Sequence, residues 1–147
     1  MRDAAEREHP SAQFALGYET EGGERVQWFR RAAEHGHPQA QCALGCCLLS
    51  GEAEGDSAQH EREAGRHAAA VPLLERAAAM NHAGAQCQLA FMHFVGGGGL
   101  PVDQAKAAAL YQQSANQDYA HAQLRLSAMH TLGEGGLLRI GHIPAGL

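Results

Sequence analysis

The sequence predicts an all-α fold, a right-handed α-solenoid of stacked helix–turn–helix repeats. The first reason is composition, because hydrophobic residues make up 45% of the 147 residues but aromatic residues only 5%. That balance, with abundant alanine, favours helices packed through small side chains over a sheet core. The second reason is a short motif that recurs four times along the chain, at intervals within the range of roughly 20 to 50 residues that is typical of helical repeats.

The motif contains an Ala-Gln pair, with a leucine three residues later and a small residue directly after it. The glutamines are Gln13, Gln41, Gln86 and Gln123. The leucines are Leu16, Leu44, Leu89 and Leu126, and the small residues are Gly17, Gly45, Ala90 and Ser127. Spacings of three to four place these residues on one face of a helix. We call this predicted helix of each repeat helix A.

A second block, predicted as helix B, carries two large apolar residues followed by small residues four positions later, again on one stripe. Its copies are 28–33, 73–78 and 110–115. Trp28 and Tyr111 are predicted core anchors of these helices. The turn after each block contains Gly36, Asn81 or Asp118. Glycine and asparagine suit a left-handed backbone at a helix end, and aspartate tolerates it less well.

The third unit carries the fullest pattern, with Ala85-Gln86, Leu89, a glycine-rich loop at 96–99, Asp103 and Lys106-Ala107 ahead of Leu110-Tyr111. This pattern resembles the Sel1-like repeat family, which is TPR-like, over roughly residues 4 to 133. The resemblance implies a solenoid that serves as a scaffold for protein binding. It does not identify a partner, since members of the family bind many different partners through one scaffold.

The repeats differ in length, and both ends of the chain are partial units. The first repeat lacks the Asp-x-x-Lys-Ala stretch, which predicts a helix B of about three turns. Pro72 is predicted to kink the second helix B or to delay its regular start to about Val71. The predicted segments are 1–9 (end of a preceding helix B), 10–36 (shortened repeat 1), 37–81 (repeat 2, with a long loop at 51–65), 82–118 (repeat 3), 119–133 (helix A of repeat 4) and 134–147 (a flexible tail). Within the long loop, residues near 60–63 are an alternative helical stretch.

Charge and hydropathy argue against two classes of partner. The net charge is −5 with 11 lysines and arginines and no basic stripe, which argues against nucleic acid. No stretch approaches the roughly 18 to 20 apolar residues that span a bilayer. The first eight residues are charged where a signal peptide would be apolar. We therefore expect a cytoplasmic chain, or a piece of a longer array, that binds neither nucleic acid nor membrane.

The cysteines invite a metal-site hypothesis, because Cys42 and Cys46 share a helical face near His35 and His37. The repeat register favours a different interpretation. Cys42 aligns with Phe14, Cys87 and Leu124, and Cys46 aligns with Tyr18, Phe91 and Ala128, so both are predicted as core positions where a free thiol acts as a small hydrophobe. The sequence thus predicts free thiols, no metal and no cofactor.

No catalytic residues are predicted. The ten histidines are scattered, and the glycines at 96–99 lack the Gly-Lys-Ser/Thr that a phosphate loop needs. One alternative follows from the resemblance, a β-lactamase-like hydrolase of the cysteine-rich subgroup of these repeats. This chain has neither that subgroup's two cysteines per repeat nor a recognisable Ser-x-x-Lys motif. Another alternative is a spacer segment within a larger repeat protein.

The favoured function is an adaptor that binds another protein or peptide on the concave face lined by the A helices. Positions off the core stripe of helix A are the predicted contacts, namely Glu19, Gln88, Met92, Arg125 and Met129. Exposed methionine suits adaptable binding, but Met92 and Met129 fill an inter-repeat core equally well. The sequence leaves these two interpretations open, and it does not determine the oligomeric state.

Overall fold

The computed structural model describes Asp3, residues 7–50 and residues 59–134, with side chains described throughout except at 59–64. Within these ranges it contains α-helices and no strand, which confirms the predicted all-α solenoid. The helices are α1 (Pro10–Glu19), α2 (Gly22–Glu34), α3 (Pro38–Ser50), α4 (Gln59–Ala79), α5 (Ala83–Val95), α6 (Gln104–Ala115) and α7 (Ala120–Leu132). A short 3₁₀ turn, Gly97–Gly99, follows α5.

Each helix packs mainly on the helix before it and the helix after it. Helices α1, α3, α5 and α7 are therefore the A helices of successive repeats, and α2, α4 and α6 are the B helices. The motif leucine is buried in all four A helices. Trp28 and Tyr111 are buried in the B helices, which confirms their prediction as core anchors. The core thus runs along the stack as a series of clusters between neighbouring helices.

The small residue after the motif leucine allows helix B to approach its own helix A closely. A Cβ atom at Gly17 would lie only 2.3 Å from the ring of Phe29. At Gly45 it would lie 3.1 Å from the side chain of Leu74, which occupies the position equivalent to Phe29. The first repeat therefore depends on glycine more strictly than the second, because its partner on helix B is a larger and stiffer side chain.

The turns between repeats adopt the left-handed backbone predicted from sequence. The φ angles are +78° at Gly36, +64° at Asn81 and +61° at Asp118. Two of the following A helices then begin with a histidine cap. Nδ1 of His37 accepts the backbone N–H of Ala40 at 3.2 Å, and Nδ1 of His82 accepts that of Ala85 at 3.1 Å. Each of these caps satisfies one of the unpaired donors at a helix start.

Helix α4 differs from its prediction at its start. It begins at Gln59, so the helix that the sequence allows near 60–63 is present and extends over 59–65, within the loop predicted for 51–65. The delayed start near Val71 is wrong, since α4 continues through Pro72 to Ala79. Pro72 and Ala68, whose carbonyl loses its helical partner, are both exposed, so water can bond that carbonyl and the cost of proline is reduced.

Some predicted segments lie outside the described residues. They are most of 1–9, the connection 51–58, and 135–147 of the predicted tail. Among the helices that the structure describes, none combines the length and the apolar character that crossing a bilayer requires.

Candidate functional site

The A helices carry two apolar positions that lie beside the motif leucines, at the edge of the core. These positions are four residues apart in each helix, and we call the surface that they form the A-helix face. Its members are Phe14 and Tyr18 on α1, Cys42 and Cys46 on α3, Cys87 and Phe91 on α5, and Leu124 and Ala128 on α7. Tyr18 is 65% exposed, Phe91 39% and Leu124 69%.

This finding corrects the sequence interpretation of the second position, that of Cys46, as core, whereas Cys42 belongs to a core cluster as predicted. Cys42 is buried, as predicted, but Cys46 is only half-buried, and the equivalent aromatic residues Tyr18 and Phe91 are exposed. The physical reason is that small side chains already fill the narrow stripe between the helices, as Ala40 and Ala85 do at full burial. The additional apolar side chains then have no core volume left to occupy.

A cleft of about 760 Å³ opens on this face between α1 and α3. Its aromatic wall is a cluster around Phe14, whose ring centroid lies 4.9 Å from that of Tyr18 and 5.6 Å from that of Phe29. The imidazole of His37 lies 5.0 Å from the Phe14 ring and links α1 to the start of α3. Edge-to-face and tilted contacts of this kind hold the rings in place, so the cleft has a rigid apolar wall.

Thiols form the opposite wall of the first cleft. The S–H group of Cys42 donates to the sulfur of Cys46, which raises the pKa of Cys42 and lowers the pKa of Cys46; burial also raises the pKa of Cys42. On the neighbouring repeat, burial raises the pKa of Cys87. All four cysteines of the chain are free. Among the residues that the structure describes, no group of three or more His, Cys, Asp and Glu is placed to hold a metal ion.

A second, smaller cleft of about 330 Å³ lies between α5 and α7. The guanidinium of Arg125 stacks 5.4 Å above the ring of Phe91, a cation–π contact across the two repeats. Gln88 and Cys87 line the same cleft. The buried Tyr111 forms its base, and burial raises the pKa of that phenol to about 12. The structure therefore brings two of the predicted contact residues, Gln88 and Arg125, to one site.

The other predicted contacts do not join them. Met92 and Met129 are each 3% exposed and pack in separate core clusters, so the structure favours the core interpretation and corrects their assignment to the groove. Each follows the A-helix face by one residue, which is a rotation of about 100° around the helix axis. Glu19 is exposed at the end of α1 but lines neither cleft.

The sequence contains a signal for the A-helix face, although the repeat register alone predicts that these positions are core. Apolar residues recur at i and i+4 directly beside the motif residues, and their sizes vary from Ala128 to Phe91. A core slot in a repeat tolerates less variation in volume, because its neighbours are themselves repeated. Variation in side-chain size at equivalent apolar positions therefore indicates that those positions are exposed.

Stacked helix pairs with one apolar, cleft-bearing face define a helical-repeat protein of the α-solenoid class. The family model described as Sel1 repeat matches residues 10–37, 38–64, 83–119 and 120–139, which is most of the chain. The chain belongs to the Sel1 repeat family. Repeats of this family generally mediate protein–protein interactions. No curated protein sequence matches the chain.

Two solved structures are similar to this chain over 94% of its length. One is a protective antigen with an SLR fold, present in uropathogenic Escherichia coli strains, with 27% identity and a TM-score of 0.80. The other is a Sel1 repeat protein from Oxalobacter formigenes, with 29% identity and a TM-score of 0.78. This chain spans 29% of the first protein and 54% of the second.

Proposed function

We propose that this chain is an adaptor that binds another protein through the A-helix face. The observation that carries the proposal is a row of exposed apolar side chains on three of the four A helices, to which α3 adds the half-buried Cys46. Tyr18, Phe91 and Leu124 lie on three different A helices at the same edge of the core stripe. Exposed apolar surface that continues from one element to the next is a typical feature of protein-binding sites.

The chemistry of the face suits an apolar segment of a partner. Aromatic residues and arginine are enriched among residues that dominate binding energy, and Phe91 with Arg125 supplies both at the second cleft. Phe14 and Tyr18 supply a preformed aromatic wall at the first. Because these rings are already held by their neighbours, little side-chain entropy is lost when a partner packs on them.

The alternative of a hydrolase of the cysteine-rich subgroup receives less support. That subgroup is characterised by a disulfide in each repeat, whereas the cysteines of this chain are free. Both clefts contain thiols and aromatic rings. Ser50, which lines the first cleft, donates its hydroxyl to the backbone carbonyl of Cys47, and the residues that line the second cleft include no serine. The spacer alternative requires no function for the exposed row, and the following experiment separates it from the adaptor.

The test is the selection of peptides from a random phage-displayed library on the immobilised full chain. We expect enriched peptides that lose at least about tenfold in affinity with Tyr18→Ser or Phe91→Ser, since each removes a large apolar contact. These positions are exposed, so both variants should fold. Val102→Ser is the matched control, because Val102 is 62% exposed on a loop outside both clefts.

An adaptor that uses this face requires the control to retain binding and the two face variants to lose it. Peptides that bind all three variants equally would show that the A-helix face is not the binding site. Failure to enrich any peptide across repeated selections would favour the spacer.

A further inference from the structure

A third cleft lies on the opposite side of the core, between the two B helices α2 and α4. Its volume is about 510 Å³. The A helix between them, α3, forms the floor with Leu44 and Leu48, and Leu73 of α4 adds to the apolar lining. None of its lining residues belongs to the clefts of the A-helix face. It is therefore a separate concavity that the proposed adaptor function does not use.

The rim of this cleft is basic. Arg30 of α2 and both Arg66 and Arg76 of α4 line it, against Glu34 as the acidic lining residue. The chain as a whole has a net charge of −5, so this local excess of positive charge is opposite in sign to the rest of the molecule. Within the described part of the chain, the buried Nε atom of Arg66 has no hydrogen-bond partner. An acceptor that enters the cleft would satisfy this buried donor.

The cleft is elongated. Its α4 wall extends from Gly65 to Arg76, which is roughly 16 Å along a helix axis. An extended peptide rises about 3.3 Å per residue, so the wall accommodates about five residues. Alternate side chains of such a peptide point to opposite sides, which lets apolar side chains meet the leucine floor while others reach the arginine rim.

We propose that this B-helix cleft binds a short extended peptide of another protein, with glutamate or aspartate flanked by apolar residues. A carboxylate matches the forked donors of an arginine, and such charge-assisted bonds are about twice as strong as neutral ones. The carboxylate would supply the acceptor that Nε of Arg66 lacks. The apolar flanking residues would cover Leu48 and Leu73, which are only half-buried.

The test is an NMR titration of the full chain, labelled with ¹⁵N, that follows the Nε–Hε signals of arginine. The probe is the blocked peptide acetyl-Leu-Glu-Leu-Glu-Leu-amide, and the matched control peptide has glutamine in place of both glutamates. We expect the Arg66 signal to shift when the glutamate peptide is added and to remain unchanged when the glutamine peptide is added. Binding should also weaken as salt is raised, because rim charges are screened.

Two variants test the site in different ways. Arg66→Gln should weaken binding about tenfold by removing a charge-assisted bond. Ala69→Phe, at an exposed position on the cleft wall, should obstruct the cleft without touching its charges. Arg31→Gln is the charge-matched control, since Arg31 stacks 5.0 Å above Trp28 and does not line the cleft. Circular dichroism of each variant establishes that it is folded.

The proposal is overturned if both peptides bind alike, if Ala69→Phe and Arg66→Gln bind as well as the wild type, or if no arginine signal moves at millimolar peptide. The sequence between α3 and α4 contains Glu52, Glu54 and Asp56. A shift of the Arg66 signal on neutralising those three without peptide would assign the carboxylate to this chain, and a separate partner would be wrong. Tyr18→Ser should leave the titration unchanged, which distinguishes failure here from failure of the A-helix face.

Discussion

The first two of the three described junctions between successive repeats have the same backbone conformation and differ in their polar contacts. We define the first junction as the turn from α2 to α3 with Gln41, and the second as the turn from α4 to α5 with Gln86. In both, the amide Nε2 of the glutamine donates to a carbonyl eight residues earlier, that of Ala33 or Ala78, at 3.4 Å. The left-handed turn residue and the histidine cap are also common to both.

The glutamine carbonyl is where the two junctions differ. At the second junction Gln117, from the turn that follows helix B of the same repeat as Gln86, donates to Oε1 of Gln86 at 2.8 Å and to Oδ1 of Asn81 at 3.3 Å. Gln86 also donates to Oδ1 of Asn81 at 3.1 Å. At the first junction Oε1 of Gln41 is buried without a hydrogen-bond partner among the described residues. The residue equivalent to Gln117 is Met80, which has no donor.

This difference shows that the end of helix B in a repeat completes the hydrogen bonding at the junction with the repeat before it. The turn and cap fix the backbone locally, within one junction. Satisfaction of the buried glutamine depends instead on residues at the end of the following helix B, 31 residues further along in the same repeat, as Gln117 and Ser114 show by bonding Gln86 and the carbonyl of Ala83. Nearest-neighbour coupling of this kind is expected where stability is a sum of interface terms.

The largest expected effect comes from removing the glutamine at each junction. Gln86→Leu should lower the free energy of unfolding by about 2 kcal/mol, because several partners lose a bond together. Gln41→Leu should change it by about 0.5 kcal/mol or less, since removal of an unsatisfied buried acceptor offsets the loss of one long bond. Urea denaturation of the full chain measures both.

Equal losses for the two leucine variants would show that the polar contacts of the second junction contribute nothing beyond the shared bond. Gln117→Ala serves as the intermediate case. It removes the donor to Gln86 while keeping the buried glutamine in place, and it should cost about 1 kcal/mol. The comparison therefore requires the loss in the free energy of unfolding to be largest for Gln86→Leu, intermediate for Gln117→Ala and smallest for Gln41→Leu.

The same comparison explains how much of the molecule its sequence predicts. Repeat spacing predicts the helices, the left-handed residues Gly36, Asn81 and Asp118, and the buried leucines, because these depend on local geometry that recurs in each unit. The polar contacts of Gln86 are not predictable in the same way. They require a residue at the end of the following helix B, Gln117, whose identity the motif does not fix.

The candidate site was predicted less well for a related reason. Helical periodicity places residues on faces, but adjacent positions on a helix differ by only about 100°, so the exposed Phe91 and the buried Met92 both appear near the edge of one stripe. Which of the two is covered depends on the neighbouring helices. Similarly, α4 continues through Pro72 because the proline lies on the exposed side of that helix. The presence of a proline in the sequence does not show which side of the helix is exposed.

A smaller effect is expected from completing the first junction. Met80→Gln places an amide donor at the position equivalent to Gln117, where it can reach Oε1 of Gln41. We expect stabilisation of about 1 kcal/mol, the usual contribution of a hydrogen bond to an otherwise unsatisfied buried group. Met80 is 56% exposed, so little apolar burial is lost.

The matched control is Met80→Glu, which has the same shape but at neutral pH offers only acceptors. A melting curve of each variant gives the result. Stabilisation by both variants, or by neither, would mean that the repeat register does not place residue 80 next to Gln41.

The smallest effect concerns the histidine caps, which the two junctions share. Burial lowers the pKa of His37, and burial and then the charge of His37 lower the pKa of His82; burial also lowers the pKa of the core residue His93. A lowered pKa means that the unfolded chain takes up the proton first, so stability is complete above the ordinary value of 6.5 and declines as pH falls through the folded pKa values. A protonated Nδ1 also cannot accept the cap bond.

The decline should amount to about 1 kcal/mol or less for each cap, because an N-cap bond contributes about that much and these imidazoles are partly solvated. Asparagine caps a helix without titrating, so His37→Asn with His82→Asn should flatten most of the dependence and leave the part due to His93. In the single variant His37→Asn, the pKa of His82 should rise, since a neighbouring positive charge has been removed. A histidine titration followed by NMR measures this, and an unchanged pKa of His82 would show that the two junctions titrate independently.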